Sequence, residues 1–207
     1  MINLSAEKTK QLILDVALRQ FAQRGYSAVS IRNICKEVGI KESTVYYHFK
    51  NKQDILDSLV EEFQAMADRM NQMLASGFKD AELHKIEDNN FLQIGRMYYI
   101  DFLNNERIFQ FVSILMIEQQ NSPWLGELFG QLMFEQPIEM QTQYFTLLIE
   151  MEYLKDLHAR ELAVAYQSIF YFCFCRQIAM RTPAQQAVRG LEEHLLFFLK
   201  QYKKETL

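Results

Sequence analysis

Proline and glycine are scarce, at three and seven of 207 residues. An average protein carries roughly 12% of the two together. Sheet folds spend these residues on turns, so their scarcity argues against sandwiches, barrels and low-complexity disorder, and for long helices. Cysteine is scarce too. Three residues cannot build a disulfide framework, and Cys173 and Cys175 stand two apart, which fits a reducing compartment. The longest apolar run, Ile169–Cys175, falls well short of the roughly 20 residues that cross a bilayer. Met1–Leu4 runs directly into Glu7, Lys8 and Lys10, which is not the pattern of a secretory leader. The expectation is a soluble, cytoplasmic, all-α protein.

Excess charge of one sign is also lacking overall, but the balance is uneven. The net charge is −4. Up to Lys52 there are nine Lys and Arg against four Asp and Glu; from Gln53 onward the balance reverses to −9. Such asymmetry suggests a basic module followed by an acidic one. We therefore expect a helical domain over 1–52 and a second over 53–207.

The first 50 residues read as three helices. Ser5 is a candidate N-cap, and Leu12, Ile13, Val16, Ala17 and Phe21 recur at helical spacing up to Arg24-Gly25. Ser30 caps a short helix carrying Ile31, Ile34, Cys35 and Val38, which Gly39 breaks. A third spans about Lys41 to Phe49. Asn51, with Asp54 three residues on, opens a long helix to about Ala75, after which Gly77 and the polar stretch Lys79–Asn90 predict an interruption. Helices are expected at about 91–103 and 106–119. Another, of about 30 residues, begins at Ser122-Pro123 and should be kinked by Pro137. The last two run over about 159–180 and from Thr182-Pro183 to about Lys203, with a loop at Leu154–His158 before them.

Residues 30–52 have helix-turn-helix logic. Two short helices meet at Gly39, and Ile34, Val38, Ile40, Val45 and Phe49 are spaced to pack inward. With Val45 at 0° and about 100° per residue, Phe49 falls near 40°, Ser43 near 160° and Tyr47 near 200°. Thr44 and Tyr46 lie on the flanks, and His48, near 300°, sits beside the buried stripe, where a structural hydrogen bond competes with a phosphate contact. The outward face is hydroxyl-bearing and aromatic. Such groups donate to phosphates and touch base edges, and a helix of this size fits the major groove of DNA. Arg32, Lys50 and Lys52 add cations near helix N-termini, which already favour phosphate.

This segment resembles the TetR (tetracycline-repressor-like) family of transcriptional regulators over about Thr9 to Leu56. The likeness is carried by Ile13…Ala17…Phe21, Arg24-Gly25-Tyr26, Ile34, Val38-Gly39-Ile40, Thr44-Val45-Tyr46-Tyr47-His48-Phe49 and Lys52. It implies a homodimer whose third helices enter the major groove of a palindromic operator. The C-terminal helices would hold a small-molecule effector and pair the subunits. Arg32, Ser43, Thr44, Tyr46, Tyr47, His48 and Lys52 then occupy DNA-contacting positions, and Lys41 and Glu42 stand close to the DNA. Both depart from the family pattern. Lys41 replaces a capping Ser or Thr, weakening the start of the third helix by ~1 kcal/mol. Glu42 repels phosphate but accepts from cytosine.

In the C-terminal part most large apolar groups must be ordinary core. Tyr98, Phe102, Trp124, Phe129 and Tyr144 are candidates to line a pocket for an apolar or aromatic effector. Ile169, Phe170, Cys173, Leu191, Leu195, Phe198 and Leu199 are candidates for a subunit interface built as a four-helix bundle, against burial within one chain. Enzyme signatures are missing: there is no Glu-x-x-His, no His-Glu-x-x-His and no glycine-rich phosphate loop. His84, His158 and His194 are isolated. Cys173 and Cys175 fall about 200° apart on a helix and cannot share a metal. The reading is therefore a ligand-responsive repressor, not an enzyme, without metal or cofactor and without a membrane partner. An activator of the same architecture, or a helical ligand-binding bundle that no longer binds DNA, stays open.

Overall fold

A computed structural model describes residues 6–83 and 87–205. Ser5 and His84 lie outside the described residues. The architecture is all-α, ordered α1 (Ala6–Arg24), α2 (Ile31–Val38), α3 (Glu42–His48), α4 (Lys52–Leu83), α5 (Asp88–Met97), a π-helical turn π1 (Tyr98–Leu103), α6 (Glu106–Glu118), α7 (Pro123–Gly130), a second π turn π2 (Gln131–Glu135), α8 (Gln136–Glu150), α9 (Ala159–Met180) and α10 (Ala184–Tyr202). Among the described residues the only strand-like pairing is an isolated bridge between Leu154 and Lys203, and no helix is long and apolar enough to cross a membrane. The backbone forms two compact units: the chain up to Ala67 with Glu106–Phe129, and Asp68–Asn105 with Gly130–Leu207.

In the first unit α1 buries Ile13, Leu14, Val16, Ala17, Leu18 and Phe21, and α2, α3 and α6 pack on it. Gly25 ends α1 in the left-handed region, at φ +83°, where glycine alone is unstrained. Phe63 of α4 stacks on Phe111 of α6, with centroids 4.7 Å apart. At the start of α6, Arg107 pairs with Asp15 of α1 and Glu62 of α4.

Two helices differ from expectation. The long helix continues through Gly77 and Lys79 to Leu83. Ala, Glu, Lys and Leu are strong helix formers, so polarity alone is no stop signal, and one interior glycine weakens a helix by only about 1 kcal/mol. Pro137 disturbs its helix through the π turn that immediately precedes α8. Proline has no N–H for the carbonyl four residues back, which is Met133. That carbonyl instead accepts from Gln167 Nε2 at 2.8 Å.

In the second unit α10 lies against α5 and α9, and α8 against α9. This bears on the interface candidates. Phe170, Cys173, Leu191, Leu195, Phe198 and Leu199 are buried within the single chain, and Ile169 is half-buried. The Phe198 ring packs on Phe91 (6.0 Å), Phe145 (5.8 Å) and Tyr166 (5.5 Å). Gly95 brings α5 so close to α10 that a Cβ on it would stand 2.6 Å from Leu195 Cδ1. The stripe on α10 thus meets helices of its own chain. The apolar side chains that α9 and α10 expose are others: Phe172, Met180, Leu196 and Phe197.

Candidate nucleic-acid interface

Local chemistry positions the two short helices. Ser30 Oγ accepts from the Asn33 N–H at 3.2 Å, and Asn33 Oδ1 accepts from the Ser30 N–H at 2.9 Å, a reciprocal capping box. At the other end of α2, Gly39 takes φ +78°. The N–H groups of Gly39 and Ile40 both donate to the Cys35 carbonyl, at 2.9 and 3.1 Å, closing the helix. Lys41 caps α3 without a side-chain hydrogen bond. The helix is started by its backbone alone, the Thr44 N–H donating to Lys41 O at 2.9 Å.

The face of α3 follows the angular order read from the sequence. Val45 and Phe49 are buried, Thr44 and His48 are half-buried, and Ser43, Tyr46 and Tyr47 are exposed, Tyr47 to 77%. Arg32, Lys41 and Glu42 are exposed as well. His48 is flanked by two rings, meeting Tyr47 edge-on at 4.9 Å and Phe49 at 6.5 Å.

Lys52 is held in place. Its Nζ donates to the carbonyls of Tyr26 (2.9 Å) and Val29 (2.8 Å) and stands 4.2 Å from the centre of the Tyr26 ring. Burial lowers the pKa of its ammonium, and the Glu118 carboxylate pulls it back up. An ammonium has three donors, and the two carbonyls take two of them. Asn51 caps α4, accepting from the Asp54 N–H at 2.9 Å, while Asp54 reaches back to the Lys50 N–H at 2.8 Å.

Two residues that the sequence did not single out support this head. Glu118, at the end of α6 and 2% exposed, accepts from the Ser27 N–H at 3.0 Å and from the Ser27 hydroxyl at 2.8 Å. Glu37 of α2 accepts from Arg19 and Gln20 of α1; the Arg19 hydrogen bond, then that of Gln20, holds its carboxyl below its ordinary pKa. Glu118 carried one sequence signal, since a carboxylate in the last turn opposes the helix dipole.

The pocket candidates divide between the two units. Tyr98, Phe102 and Tyr144 are buried in the second unit, whereas Trp124 and Phe129 belong to the first, with Trp124 exposed. Phe102 stacks on Tyr98 at 5.7 Å. Burial pushes the Tyr98 hydroxyl up to about 12 and the Cys173 thiol up to about 11. Among the described residues no group of three His, Cys, Asp or Glu could hold a metal ion.

Comparison with known proteins agrees with this geometry. Residues 13–59 match the family described as bacterial regulatory proteins, tetR family. The HTH-type transcriptional regulator AcrR of Shigella flexneri is 45% identical over 56 residues, 27% of this chain and 26% of that protein. The biofilm operon icaADBC negative transcriptional regulator IcaR of Staphylococcus epidermidis is 38% identical over 52 residues, 25% of this chain and 28% of its own. The chain thus spans about a quarter of the length of these curated relatives. Across nearly the whole chain the fold is that of a putative transcriptional regulator from Saccharomonospora viridis, solved in complex with choline. Its TM-score is 0.70 at 21% identity, covering 96% of this chain and 100% of that one. The matched segment holds α2, the Gly39 turn and α3, and it is this segment of the chain that matches the TetR family of bacterial regulatory proteins.

Proposed function

We propose that this chain is a ligand-responsive transcriptional repressor that binds a palindromic operator as a homodimer. Residues 1–52 read the DNA, and residues 53–207 hold a small apolar or aromatic effector and pair the subunits. The observation that carries this reading is the exposed face of α3, where Ser43, Tyr46 and Tyr47 project from a helix anchored by Val45 and Phe49. Tyr47 and Ser43 face the groove, and Thr44, His48, Arg32 and the remaining Lys52 donor face phosphates. Lys41 and Glu42 stand at the entrance of the helix, where Glu42 suits a cytosine edge. Repression is supported by the name of the Staphylococcus epidermidis relative, and an effector by the choline complex of the structural relative.

The pairing surface proposed here is the outer face of α9 and α10, with Phe172 and Phe197 at its centre. Phe197 is 69% exposed, which is costly for so large an apolar ring unless a second subunit covers it. A two-fold dimer presents two α3 helices one helical turn of DNA apart, which imposes a palindrome. The effector releases DNA by binding more tightly to a state in which the two α3 helices no longer match that spacing.

Selection of bound duplexes from a random pool tests this reading. An enriched inverted repeat supports it. Weak retention without enrichment contradicts it and favours a helical ligand-binding bundle without DNA recognition.

A further inference from the structure

Glu118, at the end of α6, is a buried carboxylate, 2% exposed. Its two oxygens each take one donor of Ser27: Oε1 the N–H at 3.0 Å, Oε2 the hydroxyl at 2.8 Å. A neutral amide could meet the same two groups, since a hydroxyl accepts as well as donates. The negative charge is therefore not needed for these bonds, and burying it is costly unless a cation answers it.

That cation is Lys52. Tyr26 and Val29, on either side of Ser27 in the chain, give their carbonyls to its Nζ at 2.9 and 2.8 Å, and the centre of the Tyr26 ring lies 4.2 Å away. Carboxylate and ammonium thus hold the same turn, and the Glu118 oxygens, bonded to Ser27, take up no Lys52 donor. The other charged and titratable groups beside Lys52 in the chain and on the turn are engaged elsewhere. The Tyr26 hydroxyl donates to Gln53 Oε1 at 3.1 Å. Asp54 accepts from the Lys50 N–H, and Asp57 from Gln53 Nε2, both at 2.8 Å. Burial lowers the pKa of the Lys52 ammonium, and Glu118 is the charge that raises it again.

We propose that Glu118 is a positioning residue for DNA binding, acting as the counter-charge of Lys52 and holding the turn that aims its ammonium at a phosphate. This rests on the reading that Lys52 meets the DNA backbone. The turn's carbonyls fix where the ammonium stands, and Ser27 fixes the turn. The carboxylate acts through its charge alone, so every Lys52 donor that the carbonyls do not take stays available. With Glu118 ionised, the ammonium keeps its proton to higher pH. Without that charge burial acts alone, and the proton leaves at a lower pH.

The test is fluorescence anisotropy of the full chain on a labelled pool of random-sequence duplexes, with the salt dependence of affinity measured at pH 7 and at pH 9.5. The slope counts neutralised phosphates. Glu118→Gln keeps the shape and both Ser27 contacts but removes the charge. We expect its slope to fall by about one unit between the two pH values, while wild type keeps most of its own. Adding Lys52→Arg, whose guanidinium stays charged throughout, should restore a slope that does not change with pH. Ser27→Ala loosens the turn but leaves the carboxylate, so it should melt at a lower temperature and keep the wild-type pH profile. A Glu118→Gln slope that follows wild type, a loss that Lys52→Arg does not repair, the same loss in Ser27→Ala, or a Glu118→Gln chain without wild-type helicity would each overturn the assignment and leave the regulator reading intact. A wild-type chain that shows no salt-dependent retention of the duplexes would overturn both.

Discussion

Glu118 and Ser27, 91 positions apart, are joined twice: the carboxylate takes both the backbone N–H and the hydroxyl of Ser27, at 3.0 and 2.8 Å. The bond ties the end of α6 to the turn between α1 and α2. That turn also supplies the carbonyls of Tyr26 and Val29 that hold Lys52. Gly25 allows the approach, since a Cβ there would lie 2.6 Å from Glu118 Oε1. A helix from the middle of the chain is thereby built into the unit that carries α3.

Removing this carboxylate should loosen the head. Glu118→Ala leaves the Ser27 N–H unmet and removes hydrogen bonds to a charged acceptor, for a loss of about 2–4 kcal/mol. Gly25→Ala should lose about 1–3 kcal/mol through backbone strain at positive φ. Urea unfolding measures both. Wild-type midpoints in the two variants would show that the contact is not formed in solution.

Lys52→Ala should weaken binding to all duplexes alike and flatten the salt dependence of affinity by about one unit. The check is a fluorescence-anisotropy titration at several salt concentrations. An unchanged slope would mean that the ammonium serves only the Tyr26 and Val29 carbonyls.

Pairing should fail when charge is placed on the outer face. Phe172→Glu with Phe197→Glu is expected to give a folded monomer in analytical sedimentation, with wild-type helicity. Leu195→Glu is expected to unfold the second unit, because Leu195 is fully buried within its own chain and an unpaired buried charge is strongly destabilising. A dimer that survives the double change would move the interface elsewhere.

Acid should destabilise the fold through two carboxylates. Hydrogen bonds from Arg19, then Gln20, lower the Glu37 pKa, and the hydrogen bond from Lys203 lowers that of Asp88 against burial, which raises it. With folded pKa values below the unfolded ones, the stabilisation is complete above the ordinary carboxylate range, near pH 4. It is lost as pH falls through the folded values. Melting temperatures between pH 7 and pH 3 should fall, and less steeply in Glu37→Gln and Asp88→Asn. Slopes matching wild type would contradict the assignment.

The head was legible in the sequence because its signals are local. Gly25 and Gly39 mark the helix breaks, Ser30 caps, and the spacing from Val45 to Phe49 orients α3 before any long-range contact is known. The last helices were legible as elements but not as neighbours. Periodicity on α10 says that Leu191, Leu195 and Phe198 face something apolar, not whether it belongs to the same chain. Glu118 and Gln141 were hidden for a related reason: a polar side chain in a helix reads as solvated until its partner 26 or 91 positions away is placed. Pro137 announced a disturbed helix, but not that the freed Met133 carbonyl would fix Gln167.

The central claim is that α3 reads the operator from both halves of a two-fold dimer. Repeating the selection from random duplexes with Tyr47→Ala tests it most directly. The account predicts that the enriched sequence changes at one base-pair position and at its symmetry mate, with the rest of the inverted repeat kept. An unchanged enriched sequence, or a change in one half only, would contradict it.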